Sequence, residues 1–150
     1  MRRVGESLPE EVVALFAPFF PGLDLSRVRV HEGIPRYVVA NPIGYADRCN
    51  IYFAPGAYRV DTIGGLALIA HEIAHCQQYQ RHGTWRFRAR YLAAYFKNRW
   101  RGMDHLKAYR NIPFEIEARE IEAEVHRALK NLSWERAHPC APDGGDSRFQ

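Results

Sequence analysis

Asp61-Thr-Ile-Gly-Gly-Leu-Ala-Leu-Ile-Ala-His71-Glu72-Ile-Ala-His75-Cys-Gln-Gln-Tyr-Gln80 is the stretch on which the fold turns. Asp61 or Thr62 can cap a helix, no proline follows before about His82, and Gly83 can close it, so the spacing predicts one helix across the whole segment. Positions i and i+4 of a helix lie one above the other, which brings the imidazoles of His71 and His75 to a common point. Two neutral imidazoles suit zinc. Glu72 sits about 100° around the helix from His71, close enough to take a proton from a zinc-activated water without being a ligand.

With seven histidines and eleven glutamates in the chain, chance alone places His-Glu-x-x-His roughly once in forty such sequences. Context therefore has to carry the reading. The motif follows Leu66-Ala-Leu-Ile-Ala70, and two imidazoles and a carboxylate in so apolar a helix are costly to bury unless a cation pairs with them. A histidine pair satisfied within the core is the bland alternative.

Outward from this helix, Arg27 to Asp61 is β-branched and aromatic: Val28-Arg-Val-His31, Tyr37-Val-Val39 and Asn50-Ile-Tyr-Phe53, cut by glycines and prolines. These pieces predict a small antiparallel sheet of three short strands. Ser7 and Glu10 have capping-box spacing and open a short amino-terminal helix that Pro18 and Pro21 stop. A third helix is expected over Trp85 to Arg101, and a fourth from Asn111, with Pro113 in its first turn, to about Leu132. The expected class is α+β, with the sheet packed on the motif helix and further helices at the carboxy-terminal end. Residues 1–132 read as one domain and 133–150, rich in turn formers, as a flexible tail.

The chain has 150 residues, a formal charge of +4 and three cysteines, Cys49, Cys76 and Cys140, without paired spacing. That length buries a core unaided, and the odd cysteine count without CxxC spacing argues against a disulfide framework and a cysteine-based zinc ribbon. No apolar run reaches signal-peptide or membrane-spanning length. The expectation is a soluble cytoplasmic protein, with leaderless secretion left open. Mild basicity favours an anionic partner without naming one.

A zinc site of the catalytic kind needs a third protein ligand and an open position. On the fourth helix, a buried stripe of Phe114, Ala118, Ile121, Val125 and Leu129 puts Glu115 and Glu122 on one flank and Glu117 and Glu124 on the other. Periodicity does not choose between the flanks. Tyr109, His105 and His126 are candidates for stabilising an oxyanion. His31 reads as strand packing, and Cys76, turned 100° from His75, is not taken as a ligand. The third helix is amphipathic and basic, with Arg86, Arg90, Lys97 and Arg101 beside apolar Trp85, Leu92, Tyr95, Phe96 and Trp100. It reads as core-packed with a solvated cationic face; a surface for membrane, nucleic acid or a partner is the alternative.

The segment Asp61–Gln80 resembles the "LLAHELxHVxQQ" signature of the eCIS core domain, a small zincin-like domain of toxins and cargo associated with extracellular contractile injection systems. Val28-Arg-Val-His31 is similar to that family's "VRVH", and Asn50–Phe53 with Gly56-Ala-Tyr58 is similar to its "I-x-F-x-x-G-x-Y". The resemblance covers roughly residues 25–82 and weakens beyond Gly83. Pro113-Phe-Glu-Ile-Glu-Ala-Arg119 also resembles the "E-x-x-A-D" third-ligand helix of gluzincin peptidases. That implies Glu115 as third ligand, with Glu117 as runner-up. Arg119 stands where those enzymes carry an aspartate that supports a motif histidine, and Glu122, further along the helix, is a substitute.

The resemblances imply a minimal zinc metallopeptidase acting on a peptide or protein, with Glu72 as general base and Tyr109 as a weaker catalytic candidate. Two other classes stand beside it. One is a catalytically silent zincin-fold binding or cargo module with a secretion-system partner. The other is a SprT-like protease acting on DNA-bound proteins, against which the missing cysteine ribbon counts.

Overall fold

The computed structural model describes residues 5–38 and 42–137. It is an α+β fold of four short strands and five helices, with one 3-10 turn. The strands are β1 (Glu6–Ser7), β2 (Arg29–Glu32), β3 (Gly44–Asp47) and β4 (Asn50–Phe53); the helices are α1 (Glu10–Phe16), α2 (Ile63–His82), α3 (Thr84–Trp100), α4 (His105–Arg110) and α5 (Pro113–Ala137).

The sheet order is β1-β2-β4-β3, and it is mixed where an antiparallel sheet was expected. β2 and β4 run parallel with Val30 opposite Ile51, while β3 pairs antiparallel with β4 and β1 with β2. The connection from Gly33 to Cys49 exceeds the dozen or so residues a parallel return needs, and β3 forms inside it. Tyr37 lies in a turn and Val38 is irregular, so the expected middle strand is not there; Val39 falls outside the described residues. In its place stands the β3–β4 hairpin, turned by Arg48 with a left-handed φ of 58°. No Asn-Gly or Asp-Gly marks that turn, so the usual hairpin signal is absent.

Alternation sorts the sheet into two faces. Val30, Ala46, Ile51 and Phe53 are buried in the core. On the other face His31, Tyr52 and Tyr45 form a cross-strand row of rings, with His31 stacked on Tyr52 at 4.6 Å and bonded through Nε2 to Asn50 Oδ1 at 2.9 Å. His31 is thus a packing residue. The inward face joins Val12 and Phe16 of α1, Ile69, Ala70 and Ile73 of α2, and Ala118 and Val125 of α5 in one core.

α2 begins as expected: the Thr62 hydroxyl accepts from the Gly65 amide, and Gly83, at φ 78°, ends the helix. α1 does not. Ser7 lies in β1, and Pro9 occupies the cap position with no side-chain cap, because pairing with Arg29 gives the Ser7 backbone a ladder partner. α4, capped by Asp104, was not anticipated. α5 runs to Ala137, past the expected end at Leu132; residues 138–150, most of the expected tail, lie outside the described residues. Among the described residues, no helix is long and apolar enough to cross a membrane.

The face of α3 that packs is not the one the sequence pattern suggested. Phe87 and Asn98 are its buried residues; Trp85, Leu92, Phe96 and Trp100 are exposed. Phe87 sits among Tyr79, Tyr91 and Phe114, and Asn98 donates to the Ala108 carbonyl of α4.

Candidate metal centre

α2 and α5 make the principal helix pair of the fold, and their crossing brings His71, His75 and Glu115 together, each offering a ligand atom within 4.8 Å of the others. His71 Nε2 lies 3.4 Å from Glu115 Oε2, and His75 Nε2 lies 3.3 Å from Glu115 Oε1. A tetrahedral ion with bonds of about 2.0–2.1 Å sets its ligand atoms roughly 3.3 Å apart. The donor set fits such a cation. A second observation agrees: Glu115 Oε2, fully buried, is the buried side-chain atom among the described residues with no hydrogen-bond partner, and leaving such an atom unpaired is costly.

Each imidazole is oriented from behind. His71 Nδ1 is 3.0 Å from Glu122 Oε2; a carboxylate oxygen only accepts, so Nδ1 carries the proton and the Nε2 lone pair points to the centre. His75 Nδ1 is 2.8 Å from Gln78 Oε1, while the same amide's Nε2 donates to the Phe114 carbonyl at 3.0 Å and to Glu117 Oε2 at 2.9 Å. The two donor contacts fix the amide's orientation, and hence the His75 tautomer. Glu117 also pairs with Arg81 at 2.7 Å. It faces Gln78 and Arg81, and is not part of the cluster.

Glu115 is further held by the Tyr91 hydroxyl, which donates to Oε1 at 2.7 Å, and Tyr109 lies beside both residues. Burial pushes both phenols well above the usual tyrosine range, reinforced by the neighbouring carboxylate. Both stay protonated as donors. His105 bonds to Tyr95 instead, and His126 is exposed on the wall of a cleft of about 440 Å³ shared with Gly64, Ala67, Arg119, Glu122 and Arg127. Arg119, in the place of a supporting aspartate, donates to the Arg110 carbonyl.

Charge is distributed as a cation site demands. Burial alone would lower both imidazole pKa values, yet the adjoining Glu115 carboxylate and, for His71, the hydrogen bond with Glu122 outweigh it; His71 is pushed up to about 10 and His75 is raised. Burial would raise Glu115, but the two imidazoles and Tyr91 hold it well below the usual carboxylate range. The pocket between them therefore favours positive charge.

Glu72 is buried one position beyond His71. Burial raises its pKa, with His75 and His71 opposing, and moves it toward the range a general base uses. Gly44 on edge strand β3 makes room for it: a Cβ there would lie 2.4 Å from Glu72 Oε1. Cys76 points away into the core, its thiol pushed well up by burial.

Gln78 and Tyr91 were not singled out from sequence. Gln78 carried a signal, since i+3 from His75 places it on the same face one turn on. Tyr91, on a helix read for its other face, carried none.

A family model described as the eCIS core domain matches residues 7–83. The match holds both motif histidines and Glu72, and stops before α3 and α5, which supply Tyr91, Glu115 and Glu122. No curated protein and no solved structure matches the chain.

Proposed function

We propose that this chain, which belongs to the eCIS core domain family, is a zinc-dependent peptidase of minimal zincin type. One observation carries the reading: both Nε2 atoms face the Glu115 carboxylate, whose Oε2 has no other partner. His71, His75 and Glu115 hold the metal, and Glu122 and Gln78 fix the two rings. Zinc, when bound, supplies Lewis acidity toward a peptide carbonyl and acidifies water.

Glu72 accepts the proton of the attacking water and delivers it to the leaving amine. Its raised pKa supports both halves of that task, because the group must be a base first and an acid afterwards. Tyr91 restrains Glu115, and Tyr109 is the candidate donor to an oxyanion. Family membership supports a role as cargo or binding module of an injection system.

The second reading keeps the metal and drops the chemistry: a zincin-fold module that binds a partner in such a system. It draws on the exposed face of α3, an apolar surface with no catalytic use. Glu72→Gln separates the two. Loss of hydrolysis of a peptide library with zinc content unchanged supports the peptidase; a wild type that binds zinc and cleaves nothing, even at long incubation, supports the module.

A further inference from the structure

On α3, Trp85, Leu92, Phe96 and Trp100 are 81%, 53%, 64% and 94% exposed. At 100° per residue they fall within an arc of about 80° and span roughly 22 Å of helix length. The opposite side is anchored: Phe87 packs against His75 and Tyr79, Tyr91 bonds to Glu115, and Asn98 to Ala108. The stripe is therefore held outward on a rigid element. Four large apolar side chains in one row are more than scattered exposed residues.

Charge borders the stripe on both sides. Arg86, Arg90 and Lys97 follow one edge, with Arg101 at the helix end, and Arg88 and Arg99 follow the other, where Arg88 reaches back to Asp47 and Arg99 to the Met103 carbonyl. No aspartate or glutamate occurs between Thr84 and Arg101. We infer that the outer face of α3 docks on an anionic lipid bilayer, lying in the interface plane.

An apolar centre with cations at its margins is what a bilayer surface selects: tryptophan rings settle at headgroup depth, Leu92 and Phe96 enter the acyl boundary, and arginine and lysine reach phosphates at the rim. Nucleic acid would instead place phosphates across the face, where Leu92 and Phe96 give them no partner. Charge complementarity with anionic headgroups adds to the apolar attraction at each basic residue of the rim. The inference stands apart from the peptidase reading, since no residue of the docking face belongs to the metal centre.

The test is co-sedimentation of the full chain with phosphatidylglycerol–phosphatidylcholine vesicles, and with phosphatidylcholine vesicles alone. Binding to the anionic vesicles, weakened by salt and accompanied by a blue shift of tryptophan emission, is expected. Leu92→Ser with Phe96→Ser should lower partitioning by about tenfold or more. Arg86→Glu with Lys97→Glu should do so by a similar factor, giving a second variant that leaves the stripe intact. All four sites are outside the core, and circular dichroism checks each fold. A folded wild type that stays in the supernatant, or partitioning unchanged in both double variants, overturns the inference. So does retention on single-stranded oligonucleotide without vesicle binding, which assigns the face to nucleic acid, or a dimer that Leu92→Ser with Phe96→Ser dissociates while vesicles bind nothing.

Discussion

His75 Nδ1 and Gln78 Oε1 lie 2.8 Å apart on the same face of α2, and the Gln78 amide continues to the Phe114 carbonyl and to Glu117 on α5. One buried side chain thus fixes the tautomer of a metal-facing histidine and ties the motif helix to the helix bearing Glu115. Removing partners behind a ligating histidine costs about 10–100-fold in metal affinity. Gln78→Leu should show a loss of that size in a chromophoric-chelator competition, with stability lower by about 1–3 kcal/mol in urea because a buried donor is orphaned. Unchanged affinity would mean that the ring is held by packing alone.

Glu122 does for His71 what Gln78 does for His75, from 3.0 Å, but it is more exposed and carries a charge. Glu122→Gln keeps an acceptor for Nδ1–H and removes the charge; Glu122→Ala removes both. Affinity for zinc should fall modestly in the first and by about tenfold or more in the second. Equal losses would show that charge, not orientation, is the contribution.

Gly44→Ala tests the seat of Glu72. The new Cβ would lie 2.4 Å from Oε1, so the carboxylate must move, and a displacement near 1 Å costs about 100-fold in turnover. Zinc content should stay at the wild-type level, because His71, His75 and Glu115 are untouched. Turnover as in wild type would contradict the assignment of Glu72 as base.

The metal-free protein should show a pH dependence of defined sign. His71 rises from 6.5 to about 10 on folding, so its contribution to stability is complete below pH 6.5 and is lost as pH rises through about 10. Glu115 is lowered from 4.5, so its contribution is present above pH 4.5 and lost as pH falls toward its folded value. Urea denaturation after chelator treatment should therefore show the cluster most stabilising between about pH 4.5 and 6.5. Zinc must displace these protons, so its apparent affinity should rise with pH and its binding should release protons into weakly buffered solution.

The motif helix was readable because every signal agreed: Thr62 as cap, Gly83 as stop, an apolar run and no proline between. The Glu115–Glu122 flank was visible as one of two equivalent sides of α5, but helical period carries no information about which side faces α2. Only the packing of the two helices places Glu115 and Glu122 on the histidines and Glu117 on Gln78 and Arg81. The sheet was harder. Two-residue β1 is too short for a pattern, the β3–β4 turn rests on Arg48 without a glycine signal, and the parallel β2–β4 pairing is a long-range choice. On α3 the apolar count was right and its meaning inverted. Phe87, Tyr91 and Asn98 suffice to anchor that helix, which leaves its larger hydrophobic residues outside.

The central claim is a resident metal on His71, His75 and Glu115. It is tested most directly by elemental analysis of protein purified without added metal, wild type beside His75→Ala and Glu115→Ala. The account predicts near-stoichiometric zinc in the wild type and its loss in both variants. Folded wild-type protein that carries no zinc and takes none up on titration, or zinc retained undiminished in both variants, would contradict it.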